Sequence, residues 1–294
     1  MSESPYILSV CVRTYNQERF VSEALDSVLM QKTSFPVEII VSDDYSKDGT
    51  RNVLLEYQAK YPDRIRLILG DVNVGGPNNL KRVIEASSAK YITCLDGDDY
   101  YTDCYKLQKQ VDFLEEHLDY VACFHNVMNI YESSGTKSFF LPLDFPSEVN
   151  AEDVISKRWF LPIHSVVMRR ELISFPQWYS EVMNDDYVVN LSVVMHGPYY
   201  YMPDVMAVYR HHEANTSIQY GNIVLIDGQL KRILEGFSSI YPESYKPVFE
   251  DRIKYYEDEI RFCEDEMRHP MKKWFRPKTY KRMIKKRLRN WLRV

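Results

Sequence analysis

No run in this 294-residue chain approaches the roughly 18–20 consecutive apolar residues that span a bilayer, so none of it reads as a transmembrane helix. The first strongly apolar stretch, Tyr6–Val12, is too short for a secretory signal. It also lacks a basic leader and a small-residue cleavage site. Cysteine is sparse: Cys11, Cys94, Cys104, Cys123 and Cys263 are odd in number, scattered, and form no CxxC pair. That excludes a disulfide framework and a zinc site, and predicts a reduced, cytoplasmic setting. What is present suffices for a large α/β domain, because 45% apolar residues supply a full core and 27% charged residues supply a solvated surface.

The net charge of −5 conceals a division. Residues 271–294 hold 11 Lys/Arg and no Asp/Glu, and the preceding 270 residues hold 26 basic against 42 acidic side chains. The tail is thus a separate electrostatic object. Within it Tyr280, Met283, Ile284, Leu288, Trp291 and Leu292 follow helical spacing, with Lys and Arg between them. This pattern predicts an interfacial helix on an anionic membrane, at the inner face of the cell membrane. A helix packed on the acidic body of the same chain fits the pattern too. No nucleic-acid motif accompanies the charge, so no nucleic-acid partner is expected.

Apolar runs of strand length occur at Tyr6–Val12, Val37–Val41, Ile65–Leu69 and Tyr91–Leu95. Between them lie helix-period segments: Phe20–Leu29, a segment after Asp48 with Val53, Leu54 and Tyr57, and a segment opened by Pro77 with Leu80, Val83 and Ile84. Such alternation predicts an α/β fold with a mostly parallel sheet covered on both faces, its ligands beyond the carboxyl ends of the strands. Further on, the pattern predicts a helix over 104–117, strands at Val121–Ile130 and Ser165–Met168, a helix at Tyr187–Met195 and an extended run at Tyr199–Tyr209. From Asn222 the pattern is helical and charged, with breaks near Pro242 and Pro247. The divisions expected are 1–102 and 103–221, two halves of one domain, and a helical extension over 222–294.

Three polar groups fall at strand ends. The fourth apolar run stops in Leu95-Asp96-Gly97-Asp98-Asp99-Tyr100, a cluster of hard oxygen ligands suited to Mg²⁺ or Mn²⁺. A metal there can bridge a nucleotide's diphosphate and neutralise it as a leaving group. An acidic turn with Asp99 capping the next helix uses the same residues. The first run leads into Arg13-Thr14-Tyr15-Asn16-Gln17-Glu18, and the second into Ser42-Asp43-Asp44-Tyr45-Ser46-Lys47-Asp48-Gly49-Thr50. An aspartate here can accept a hydrogen bond from a base N–H, with Thr14 and Tyr15 framing the base. Asp43 and Asp44 also suit a turn before a capped helix. Three such ends converging in one crevice are harder to explain as turns alone.

These segments resemble glycosyltransferase family 2. The resemblance rests on Val10-Cys11-Val12-Arg13-Thr14-Tyr15-Asn16, on Ile40–Thr50, on Asn73-Val74-Gly75, and on Lys90-Tyr91-Ile92 running into Asp96-Gly97-Asp98-Asp99, in the family's order over about residues 6–220. It implies a GT-A fold and inverting transfer from a nucleotide sugar, with UDP as the nucleotide. By the same resemblance Thr14, Tyr15 and Asp43 hold the base, Asp96 the ribose side and Asp98 the metal, with Glu18 assisting on the nucleotide side. Where members carry Ala-Arg-Asn, this chain has Asn79-Leu80-Lys81, and Lys81 is the candidate phosphate contact. In Asn184-Asp185-Asp186-Tyr187 the second acid matches the family's catalytic base, Asp186, while Asp185 suits a helix N-terminus. His212, in preference to His211, matches a histidine near the metal, and His164-Ser165 falls where the acceptor is faced. The implied partners are a nucleotide-sugar donor and a glycan or lipid-linked acceptor in surface polysaccharide synthesis.

Two other functions were weighed. A sugar-1-phosphate nucleotidyltransferase needs a Gly-rich phosphate loop after the first strand, and Arg13–Arg19 contains no glycine. A non-catalytic membrane-docking or glycan-binding protein has no need to keep Asp98 and Asp186 together.

Overall fold

The computed structural model describes residues 4–268 apart from 143, 158–159, 214 and 216–222. The basic tail at 271–294 lies outside the described residues. Strand β1 (Leu8–Thr14) pairs in parallel with β2 (Val37–Asp43) on one side and β4 (Tyr91–Asp96) on the other, and β2 pairs in parallel with β3 (Ile65–Leu69). Covered on both faces, β1, β2 and β4 are nearly continuous apolar runs. The edge strand β3 instead buries Ile65 and exposes Arg66. Helices α1 (Val21–Leu29), α2 (Thr50–Lys60) and α3 (Gly76–Ala86) supply the crossovers. Val21, Ala24, Leu25 and Val28 of α1 form a buried stripe at helical spacing. Pro77 occupies the first turn of α3, where its missing N–H would have no helical partner anyway, and Asp48 accepts the Thr50 amide at 3.0 Å at the start of α2.

The second part of the sheet is mixed. After β5 (Tyr100–Tyr101) and α4 (Lys106–Glu116) come β6 (Ala122–Tyr131), its hairpin partner β7 (Thr136–Phe139), β8 (Glu148–Val149), α5 (Ala151–Ser156) and β9 (Val167–Arg169). Then follow α6 (Asp185–Val194) and the long β10 (Tyr199–His211). The sheet order is β3-β2-β1-β4-β9-β6-β10-β5, with β9 antiparallel to both neighbours and β10 parallel to β6. The result is a GT-A sheet flanked by helices. The strand expected at Ser165–Met168 starts later, because Ile163–Ser165 is a 3₁₀ turn. The Pro162 carbonyl accepts both the amide and the hydroxyl of Ser165, at 2.9 and 2.7 Å, and closes that turn.

Among the described residues this unit comprises 4–151 and 161–212, and a second falls within 152–160 and 213–268. The second takes in the 152–160 segment that the sequence-based division grouped with the middle region. Its helices α7 (Ile223–Ser238) and α8 (Lys246–Arg268) pack together, and Tyr241 stands edge-on to Phe237 and Phe249. Lys231 of α7 reaches Glu257 of α8 at 3.2 Å. Among the described residues no helix is long and apolar enough to cross a membrane.

One core position departs from the apolar pattern. Lys106, fully buried at the start of α4, donates to Gln110 Oε1 at 2.8 Å and lies 4.3 Å from the Tyr101 ring centroid. Burial pushes its ammonium down from 10.5 to about 7. Between those values the unfolded chain binds the extra proton, so raising the pH stabilises the fold there. From pH 7 to pH 9.5 the wild type should therefore gain on the order of 2–3 kcal/mol more than Lys106→Met, as read from urea unfolding of both at each pH. Equal gains would contradict a buried, proton-releasing lysine.

Candidate active site

Strand register assembles the site. In-register pairing sets Thr14 opposite Asp43 and Arg13 opposite Asp96, so the polar ends of β1, β2 and β4 share one sheet edge. Gly97 lets the next turn close. A Cβ there would lie 2.5 Å from Gln17 Oε1 and 2.8 Å from Thr14 Cγ2, and the Gly97 amide donates to Arg13 O at 3.0 Å. A side chain between Asp96 and Asp98 would force these loops apart.

The two acids after β2 hold the loops. Asp43 is fully buried: it accepts from Thr14 Oγ1 at 3.2 Å, from the Ser46 amide at 3.0 Å, from Ser46 Oγ, and from Arg51 Nε at 2.7 Å. Asp44 accepts the Val74 and Gly75 amides, both at 2.8 Å, which ties the Asn73-Val74-Gly75 turn to the crevice. Glu18 accepts the Gly49 amide at 2.8 Å and so clamps the first loop to the second. Asn16 and Tyr45 take up left-handed φ values of 54° and 62°. Such strain on non-glycine residues concentrates at ligand sites. Tyr15 stays exposed at the rim. Lys81 has no such tie to the cluster; its ammonium lies 3.7 Å from Glu85, one turn further along α3, and faces the Phe175 ring.

The third loop meets the end of β10. Asp98 and His212 approach to 3.1 Å between Oδ2 and Nε2, and the His212 ring packs on Phe20 with centroids 4.4 Å apart. His211 is engaged elsewhere, stacked on Tyr131 and 2.9 Å from Asn129 Oδ1. Asp99 is buried beneath, with the Arg210 amide donating to it at 2.8 Å and His164 Nδ1 at 3.1 Å. Burial and the neighbouring Asp98 and Asp96 raise the Asp99 carboxyl, and burial pushes His164 down to about 3. Asp99 and His164 together fix the floor of the loop that presents Asp98. His164 and Ser165 are buried, and His164 supports the loop through Asp99.

The acid pair at the start of α6 reaches the same edge. Asp185 is buried and ion-paired with Arg13, whose other edge grips both oxygens of Asp96, Nη2 to Oδ2 at 3.2 Å. Asp185 Oδ1 also accepts the Asp186 amide at 2.9 Å. Burial pushes the Asp185 carboxyl up and Arg13 offsets only part of that; for Asp96 the charge and hydrogen bonds of Arg13 outweigh burial and hold it below the ordinary range. Asp186 is half-buried in the first turn, its Oδ1 accepting the Tyr187 amide at 2.8 Å. In the sequence Arg13 is only one residue of a motif. No spacing signal links it to an acid more than 170 residues away.

The donor set suits a hard divalent cation. Among the described residues no three His, Cys, Asp or Glu side chains converge on one point. A carboxylate with one adjacent imidazole is what remains when substrate phosphates provide most of the ligands, the usual case for Mg²⁺ beside nucleotides.

Comparison with known proteins gives the family and the fold. The family model described as glycosyl transferase family 2 matches residues 9–172. An uncharacterized protein of Mycobacterium tuberculosis is 38% identical over 205 residues, 70% of this chain and 59% of that protein. The chain thus spans under two thirds of that relative. An uncharacterized glycosyltransferase of Nostoc is 27% identical over 71% of this chain and 66% of its own length. Two solved structures share the fold at 18% identity. They are S. aureus TarS with UDP-GlcNAc (TM-score 0.59, 85% of this chain, 80% of that one) and the mannosyltransferase PcManGT of Pyrobaculum calidifontis with GDP-Man and Mn²⁺ (TM-score 0.60, 86% and 72%).

Proposed function

We propose, from the premise that the chain belongs to glycosyl transferase family 2, that it moves a sugar from a UDP-sugar to an acceptor hydroxyl with inversion at the sugar carbon. The observation that carries this is the meeting, at one sheet edge, of the β1, β2 and β4 ends with the first turn of α6 through Arg13. A crevice so built holds a nucleotide on one side and offers a carboxylate, Asp186, on the other. Thr14, Tyr15 and Asp43 frame the base, Glu18 braces that loop, and Asp96 faces the ribose. Lys81 would need to turn from Glu85 to reach a phosphate. Asp98 and His212 would hold Mn²⁺ or Mg²⁺, which when bound supplies positive charge to the departing diphosphate.

Asp186 takes the acceptor hydroxyl proton as that oxygen bonds to the anomeric carbon. The bond from this carbon to the diphosphate oxygen breaks on the opposite face, and UDP leaves with the electron pair. The transition state is oxocarbenium-like, with no covalent enzyme intermediate. The related structures were solved with different bases, uracil and guanine, so UDP is tested by competition: UDP should displace a bound UDP-sugar better than GDP does. Tighter binding of GDP would overturn the choice of nucleotide.

The acceptor, on this account, is a lipid-linked glycan reached through the basic tail at the inner face of the membrane. Each Lys or Arg near an anionic surface contributes about 1 kcal/mol, enough in aggregate to hold a domain there. Deleting residues 271–294 should release the protein from phosphatidylserine-containing vesicles and leave transfer to a small soluble acceptor intact. Equal co-sedimentation of full and truncated chains would contradict it.

A further inference from the structure

We infer that Arg13 is a positioning residue that locks the first turn of α6, and Asp186 with it, to the nucleotide side of the crevice through Asp96 and Asp185. The inference rests on the reading of Asp186 as the base.

Arg13 lies near the end of β1 beside Asp96, so its backbone is fixed by the most buried part of the sheet. Its guanidinium offers two edges at a set angle. Nε and Nη2 take Asp96, and Nη1 takes Asp185. Asp185 in turn accepts the backbone N–H of Asp186 at 2.9 Å. A short rigid chain of contacts therefore runs from the strand that carries Thr14 to the residue that must meet the acceptor. Asp185 also faces the start of α3, its Oδ2 3.8 Å from where a Cβ on Gly76 would stand.

The charges argue for geometry over stability. One guanidinium between two carboxylates leaves a net negative charge, with Arg13 at 19% exposure and Asp185 at 5%. Removing such a group from water costs free energy that the attraction repays only with good geometry, and apolar replacements are often as stable. What an apolar contact cannot do is fix direction. A lysine keeps the charge but not the fork, so it can hold one carboxylate in place and not both. Arg13 itself touches neither the metal ligand Asp98 nor Asp43.

The test uses Arg13→Lys, Asp185→Asn, the double variant and Asp186→Asn in the full chain. Donor affinity is read by calorimetry with UDP and Mn²⁺, and turnover from the rate of sugar transfer. A misplacement of about 1 Å costs about 10²-fold, so Arg13→Lys and Asp185→Asn should each lower kcat by about that factor. In Asp185→Asn, which leaves Arg13 on Asp96, donor affinity should stay within about threefold of wild type, a split that general loosening of the fold would not give. Because both substitutions break one link, the double variant should be no slower than the slower single variant. Arg13→Lys with wild-type turnover beside an inactive Asp186→Asn overturns the inference alone. So does, in Asp185→Asn, a loss of donor affinity as large as the loss of rate. Should Arg13→Lys fail to fold, Asp185→Asn decides by the same criteria. An active Asp186→Asn overturns both the base assignment and the inference built on it.

Discussion

Asp186→Asn is expected to lower kcat for sugar transfer by about 10²–10⁴-fold, the usual worth of a positioned general base. Asparagine keeps the size of the side chain and can still accept the Tyr187 amide at the start of α6, so the helix should form as before. It cannot take a proton at the acceptor oxygen. Donor affinity should hold within about threefold, because the groups proposed above to grip the nucleotide are on other elements. Asp185→Asn should be milder, since that carboxylate orients and does not exchange the proton. Rates and donor affinities for both variants decide the matter. A dead Asp185 variant beside an active Asp186 variant would swap the roles, and two active variants would place the base elsewhere.

Asp98→Asn should weaken Mn²⁺-dependent binding of the donor by at least about 10²-fold, more than loss of an outer-shell partner costs a metal site. On the proposed reading the carboxylate is the hard, charged ligand, and an amide oxygen is a poorer one for a divalent cation. The fold should survive, because Asp98 is near the surface of the crevice and asparagine can still pair with His212 across 3.1 Å. The anchoring of this loop rests on Asp99, through Arg210 and His164, and on Gly97. Calorimetry with a UDP-sugar and Mn²⁺, beside a thermal melt, separates the two effects. Undiminished affinity in a folded variant would remove Asp98 from the metal site.

Much of the sheet was legible because β1, β2 and β4 are buried on both faces. Their nearly continuous apolar runs end where polar residues begin, at one sheet edge. The preference for His212 over His211 came only through the resemblance; in the fold His212 lies 3.1 Å from Asp98 and His211 stacks on Tyr131. Side-chain direction was not legible. Asp43 reads as an acceptor for a base N–H, and the sequence does not show that Thr14, Ser46 and Arg51 also donate to its carboxylate. Lys81 reads as a phosphate contact, yet it points along α3 to Glu85. Lys106 sits in a helical pattern where a lysine ordinarily marks solvent, and it is buried. Arg13 gives no local signal, because both its partners come from distant parts of the chain and only folding makes them neighbours.

The central claim is that this crevice breaks the bond between a sugar and a nucleoside diphosphate with a divalent cation in place. The most direct measurement is release of the diphosphate from a panel of UDP- and GDP-sugars with Mn²⁺, with and without EDTA, for wild type and Asp98→Asn. Release from at least one donor that stops on chelation and is lost in Asp98→Asn is the expected result. A folded wild type that neither binds nor cleaves any donor, or cleavage that persists under EDTA and in Asp98→Asn, would contradict it.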